Sequence, residues 1–311
     1  MATKDQLQEV LNSTILRQTQ IERYKVGVIM SLTPLLNRLS KDISDYINTH
    51  DMDTKRERRV ALRDIKELID TTYSSIEDGL LADLNKVIED ELLKAAIVWD
   101  KYVEPPKEED DSNYLLLLFL GADIKTHLKL LKQDIFVVVS KKIVQGFADD
   151  LTPRQVAQNI RGTAKNKYKD GVFNTARNDF SAMTNSAIQR VTDNARERFW
   201  KKQGVEKVIW ISVLDEKTTA ICRGRSNKIY NIGEGPRPPA HYRCRSKVVP
   251  YTEGLEVPPS YSEWLRSQDD SVIDGVLGKT KGAMFRSGKL KLDGYVTPSG
   301  REMTIEELKQ L

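Results

Sequence analysis

The stretch Val208-Ile209-Trp210-Ile211-Ser212-Val213-Leu214 decides the fold class. It is rich in β-branched residues and apolar on both faces, the pattern of a buried strand rather than of an amphipathic helix. Asp215 ends it, and Gly204 stands just before it. Two short runs downstream, Lys228-Ile229-Tyr230 and Ser246-Lys247-Val248-Val249, are placed to pair with it across the loop Gly233-Glu-Gly-Pro-Arg-Pro-Pro239. A small sheet is therefore expected within 205–250.

Upstream the period changes to three and four. Ala176, Phe180, Met183, Ala187, Val191, Ala195 and Phe199 keep helical step over more than six turns, with Arg177, Arg190, Arg196 and Arg198 expected on the polar face. Before it, Leu151-Thr-Pro-Arg-Gln-Val156 carries a helix start: Thr152 caps, Pro153 takes the first position and Gln155 closes a capping box. Asp134–Phe147 and Tyr114–Leu131 read as helices, although Ile135-Phe-Val-Val-Val139 is β-prone and would also suit a strand. Glu104-Pro-Pro-Lys-Glu-Glu-Asp-Asp-Ser-Asn113 has no large apolar side chain to bury and reads as an acidic linker.

The first hundred residues give four periodic segments, marked by Leu7, Val10, Leu11 and Ile15; by Val28, Leu32, Leu35, Leu36 and Leu39; by Val60, Leu62, Ile65, Leu68 and Ile69; and by Leu80, Leu81, Leu84, Val87, Ile88 and Leu92. Pro34 is expected to start or kink the second, and Thr54–Glu57 to open the third with a capping box. Further boxes at Ser260–Glu263 and Thr304–Glu307 mark short helices in the tail. The expected class is α+β, a helix-rich N-terminal bundle followed by a small mixed α/β module with appended C-terminal helices. The expected parts are a bundle or hairpin over 1–103, the linker 104–113, a helical extension 114–150 and the module 151–311.

Charge is unevenly spread. Residues 1–150 hold 21 Lys and Arg against 27 Asp and Glu, a net of −6; residues 151–311 hold 28 against 18, a net of +10. A polyanion would choose the back half. Arg223, Arg225, Arg237, Arg243 and Arg245 join the four helix arginines as candidate contacts to DNA phosphates. The apolar run Tyr114–Leu120 is far short of the ~20 residues a bilayer requires. No secretory leader pattern opens the chain, so a cytosolic protein is expected. Two cysteines in such a protein argue against a disulfide framework.

Both cysteines and one of the three histidines fall within the 23 residues from Cys222 to Cys244. Their crowding reads first as a structural knot of buried thiols around a hydrogen-bonded imidazole, with no cofactor. The alternatives are a zinc site, for which Cys222, His241 and Cys244 supply three donors with Asp215 as a fourth, and a Cys222–Cys244 disulfide. Enzyme signatures fail one by one. His241 is followed by Tyr242 and Arg243, not by the x-Glu of a zinc deaminase, and no two histidines lie closer than 77 residues, which excludes His-Glu-x-x-His. Gly282 to Lys289 imitates a phosphate loop but has five residues between its glycines and Leu290 in place of Ser or Thr.

The series Trp210-Ile-Ser-Val-Leu-Asp215, Thr218-Thr219, Cys222 and Pro238-Pro-Ala-His-Tyr-Arg-Cys-Arg245 resembles the minor head proteins similar to protein F of phage Mu. In that family a Trp-containing strand ends in Asp, followed by Thr, by Cys or His, and by Pro-Pro-x-His-x-x-Cys-Arg-Cys. The helix from Thr175, and Tyr261-Ser-Glu-Trp-Leu265, Val276-Leu-Gly278 and Phe285–Leu290, are similar to the segments that flank the motif. The likeness covers roughly 150–311. Ser246 stands where the second Cys of Cys-Arg-Cys falls, which removes a potential metal ligand. The resemblance implies a virion component, not an enzyme: a low-copy minor capsid protein acting in head morphogenesis and capsid assembly. It would bind the portal, the major capsid protein or a scaffold, contact double-stranded DNA, and be a candidate for ejection with the genome. Its place would be the head interior or portal region, and the host cytoplasm during assembly. The competing classes are a metal-dependent enzyme built on the Cys/His cluster and a basic nucleic-acid-binding adaptor.

Overall fold

A computed structural model describes residues 3–99, 117–297 and 300–310. The expected linker 104–113, and Tyr114 to Leu116 of the helix expected after it, lie outside the described residues. The described chain is α+β: helices α1 (Lys4–Thr49), α2 (Lys55–Val98), α3 (Ile124–Ala148), α4 (Pro153–Arg161) and α5 (Val172–Lys202), then strand β1 (Lys207–Ile211), α6 (Ala220–Arg225), β2 (Ile229–Asn231), β3 (Lys247–Tyr251), and the short helices α7 (Tyr261–Arg266), α8 (Asp270–Leu277), α9 (Lys279–Arg286) and α10 (Ile305–Leu308).

The four periodic segments of the first hundred residues form only two helices, of 46 and 44 residues. Pro34 neither starts nor ends one. It lies on the exposed side of α1, where the Met30 carbonyl that loses its amide partner can meet water, and the Ser31 and Thr33 hydroxyls donate to the carbonyls of Val28 and Ile29 in the same turn. The β-prone run Ile135–Val139 is likewise helical, inside α3. Ile135, Val139 and Ile143 are buried there at helical spacing, so the packing of one helix face overrides the local strand preference. That helix starts at Ile124, later than the expected Tyr114, with the Asp123 carboxylate accepting from the Thr126 amide.

The compact units do not follow the boundaries expected at 103 and 150. One unit comprises Thr19–Glu89 and Pro106–Val191, the other Met1–Gln18, Asp90–Pro105 and Thr192–Leu311. Helix length gives the reason. At ~1.5 Å per residue α1 and α2 each run for more than about 60 Å, longer than one small core needs, and each serves two cores in succession.

The first unit is a helical bundle. Tyr24 donates to the Asp83 carbonyl and Tyr46 to Asp64, which sets α1 antiparallel to α2; Lys25–Gln189 and Asn37–Arg177 set it antiparallel to α5. Lys132–Asp70 and Lys125–Glu77 set α3 antiparallel to α2. Gly79 lies where a Cβ would come within 2.8 Å of Leu32 Cδ2, so α1 and α2 approach closely there. The core is Ile21, Val28, Leu36, Ile43, Ile65, Ile76, Val139, Ile160, Phe173 and Phe180, each 4% exposed or less.

The second unit holds the sheet. Its order is β2-β1-β3 with both pairings antiparallel, Val208 opposite Tyr230 and Trp210 opposite Val248. Both expected partners of the Trp210 strand are thus in place. Tyr261, Leu265, Ile273, Leu277, Phe285, Leu290, Leu292, Tyr295 and Leu308 form one apolar cluster among the tail helices. Lys247, at the start of β3 and 4% exposed, donates to the α1 carbonyls of Thr14 and Ile15. Glu91 of α2 is 1% exposed and accepts from Arg17 and from Arg196.

Candidate functional site

The candidate site is assembled by three local structures that β1 anchors. Trp210 Nε1 donates to Ser212 Oγ at 3.1 Å, and Ser212 donates to the Cys222 carbonyl at 2.7 Å, so the end of the strand is tied directly to α6. Between them the chain turns on Asp215, which accepts from the Lys217 amide and the Thr218 hydroxyl. Arg223 donates to the Thr218 carbonyl and, through its other nitrogen, to the Val276 carbonyl. Those bonds place Cys222, 2% exposed, in the first turn of α6.

The second cysteine arrives on the loop between β2 and β3. Glu197 of α5 holds that loop by accepting from the Gly233 amide and from the Arg237 guanidinium. Pro238 and Pro239 are buried, joined by a cis peptide bond, and the Cys244 amide closes a turn on the His241 carbonyl at 3.1 Å. The result brings Cys222 Sγ within 3.4 Å of His241 Nε2 and 3.7 Å of Cys244 Sγ. All three donor atoms lie within 4.8 Å of one another. No disulfide joins the two cysteines.

Protons in this cluster are shared unequally. Donation from Cys222, then the imidazole of His241 and the Ala240 amide, hold the Cys244 thiol below its ordinary value against the cost of its burial. Cys222 is correspondingly pushed up, by Cys244 first and burial second. Burial pulls His241 down, but the Cys244 sulfur outweighs it and the net direction is up. His241 Nδ1 lies 2.8 Å from the Tyr242 carbonyl, which can only accept, so Nδ1 carries hydrogen and Nε2 faces the sulfurs.

This donor set fits a soft tetrahedral cation. With metal–sulfur bonds of ~2.3 Å and metal–nitrogen bonds of ~2.0–2.1 Å, a zinc tetrahedron places sulfur about 3.8 Å from sulfur and about 3.5 Å from nitrogen. The separations of 3.7 and 3.4 Å from Cys222 Sγ match, and the cluster as a whole spans up to 4.8 Å, wider than the tetrahedron. Zinc-bound imidazoles donate their other N–H to a carbonyl or carboxylate, as His241 does to Tyr242.

Asp215 does not join these three. Both its oxygens accept from the Arg245 guanidinium, at 2.6 and 2.8 Å, and that pairing holds its carboxyl below the ordinary range. The expected fourth ligand instead fixes the arginine that follows Cys244. Beside Cys222 and His241 lies a cavity of about 30 Å³, bordered by Lys217, Thr218, Thr219, Arg243, Arg245 and Ser246.

The arginines expected at a DNA surface mostly fasten the chain to itself. Arg196 is 3% exposed and bonded to Glu91 at 2.6 Å, which removes it from any nucleic-acid surface; the helix there is buried on the side that the periodicity had assigned to solvent. Arg177 donates to Asn37 and the Tyr168 carbonyl, and Arg190 to the Leu118 carbonyl. Arg223 spends its donors on Thr218 and Val276, Arg237 on Glu197, Arg245 on Asp215, and Arg225 stacks 5.2 Å over the Trp210 ring. Arg198 is half-buried; Arg243 is exposed. Sequence reasoning missed Glu91 and Glu197, because a buried acid among exposed ones leaves no local signal.

No family model, curated protein or solved structure matches the chain.

Proposed function

We propose that this chain is a minor head protein of a tailed bacteriophage, of the kind similar to protein F of phage Mu. One observation carries the reading. The residues on which the resemblance rests, Trp210, Asp215, Thr218, Cys222, His241, Cys244 and Arg245, form one bonded assembly: Trp210 through Ser212 to Cys222, Cys222 to His241 and Cys244, and Arg245 through Asp215 to Thr218. A shared signature that is a structural fastener suits a virion part. The partners on this reading are the portal, capsid or scaffold protein and duplex DNA. Phosphate contact then falls to exposed lysines such as Lys201, Lys202 and Lys217 rather than to the buried Arg196. The test is to follow the tagged full chain during infection: it copurifies with procapsids or portal, and particles lacking it are defective in assembly or DNA delivery. Normal infectious particles that never contain it overturn the proposal.

In the same reading Cys222, His241 and Cys244 hold a zinc ion that locks the loop between β2 and β3 onto α6. The ion supplies cross-linking and no reaction step. Purified chain is expected to carry one zinc, and chelation is expected to lower its melting temperature. Metal-free protein whose stability is indifferent to added zinc refutes it.

A further inference from the structure

Helix α3 carries two apolar faces, and its own unit uses one of them. Leu128, Ile135, Val139 and Ile143 are buried in the helical bundle. On the opposite side Leu130, Val137 and Val144 are 48%, 61% and 50% exposed, each seven residues from the next. Single exposed apolar side chains are ordinary, but a seven-residue repeat stacks them along one side of a helix as a continuous stripe. Val is a poorer helix former than Ala, Lys or Gln, so helix propensity does not account for the two valines. Charge follows the stripe. Asp134 and Lys141, also seven apart and exposed, flank it on one side. The residues three and four positions from Asp134 are Leu130, Leu131, Val137 and Val138; those from Lys141 are Val137, Val138, Val144 and Gln145. Neither charge therefore meets its opposite along α3. The ion pairs that α3 makes with α2 run instead from Lys125 and Lys132, and Asp134 is felt across the bundle only by the uncharged Tyr73 phenol.

We infer that this face of α3 is a contact between two copies of the chain, paired antiparallel about a two-fold axis through Val137. In that register Leu130 lies over Val144 of the second copy, Val137 over its counterpart, and Asp134 beside Lys141 of the second copy. Symmetry repeats each contact. The order Leu130, Asp134, Val137, Lys141, Val144 is apolar, acid, apolar, base, apolar, and read backwards it is its own electrostatic complement. That self-complementarity selects a second copy as the occupant. A parallel pair would use Asp134, against Lys129, but would leave Lys141 beside Phe136 with no acid to meet. From Leu130 to Val144 the stripe runs about 21 Å. So short a contact makes the pairing reversible and dependent on concentration.

Analytical ultracentrifugation of the full chain, from micromolar to millimolar concentration, measures the association. The expected result is a reversible equilibrium between monomer and dimer. Val137→Lys sets two like charges at the axis and is expected to raise the dissociation constant by at least about 10-fold. Asp134→Lys turns two attractive pairs into two repulsive ones and is expected to raise it roughly 5- to 30-fold. Asp134→Lys combined with Lys141→Asp restores opposite charges and should return it to within about 3-fold of the wild type. All three positions are exposed, so circular dichroism should show the same helix content in every variant. A chain that stays monomeric throughout leaves the face to a different occupant and overturns the contact between copies. A dimer that Val137→Lys does not weaken is held by another surface and overturns it too. Weakening by Asp134→Lys that the charge exchange fails to reverse overturns the antiparallel register.

Discussion

Replacing Glu91 by Leu removes the carboxylate that two arginines share inside the sheet-containing unit. Glu91 is 1% exposed, and the side chain of its partner Arg196 is 4% exposed. Breaking a buried ion pair from one side costs ~3–5 kcal/mol, because the remaining charge keeps its desolvation penalty and loses its compensation. Two features place this case at the lower end. Arg17 retains Asp90, which is half-exposed, and Arg196 retains Asp193 at 3.6 Å. A loss of about 3 kcal/mol corresponds to a fall of roughly 6–12 °C in melting temperature for a unit of this size. Removing the second charge as well should restore part of it, since Glu91→Leu with Arg196→Leu no longer leaves a buried arginine without its main partner. Calorimetry on the wild type, both single variants and the double variant measures the coupling, expected to exceed about 1 kcal/mol. A single variant that costs under ~1 kcal/mol, or two variants whose effects simply add, would refute a shared buried pair.

Other consequences are smaller and separately checkable. Asp170 is held down to about 2, by the Thr163 amide first and then by Asn166 and the Thr163 hydroxyl. Its folded value lies below its unfolded one, so its support for the loop 163–170 is complete above pH ~4 and disappears as pH falls toward 2; amide exchange at Thr163 should show that loss, and Asp170→Asn should abolish the pH dependence. Ser212→Ala breaks the link from Trp210 to the Cys222 carbonyl and should cost ~1–2 kcal/mol in thermal unfolding. Cys244→Ala should destabilise by ~1–3 kcal/mol and lose bound zinc; a variant that melts like wild type while still binding zinc would contradict its place in the cluster. Duplex binding by the full chain should weaken steeply with salt, through counterion release, and Arg196→Gln should leave the slope of that dependence unchanged.

The elements specified by neighbouring residues could be read without a structure. The boxes Thr54–Glu57, Thr152–Gln155, Ser260–Glu263 and Thr304–Glu307 all form as reciprocal bonds, because each needs only four consecutive residues. The Trp210 strand and its two partners were equally legible. Continuity was not: nothing within a few residues of Pro34 or Val137 says that a helix will persist, since buried side chains on the opposite face decide it. At the site, spacing brought Cys222, His241 and Cys244 together but misassigned Asp215. An acid three residues from a hydroxyl and thirty from its arginine looks the same whether it faces a cation in solution or a guanidinium.

The division of α1, α2 and α5 between two cores also sets an order in time. Leu7, Val10 and Leu11 of α1 are buried in the same unit as the chain after Thr192. During synthesis at roughly 5–20 residues per second, they are made about 10–40 s before Thr192. Over that interval the nascent chain presents an apolar helix face that still lacks the cover supplied by the chain after Thr192, which makes the first turns of α1 a binding site for chaperones and the place where truncated translation products should aggregate.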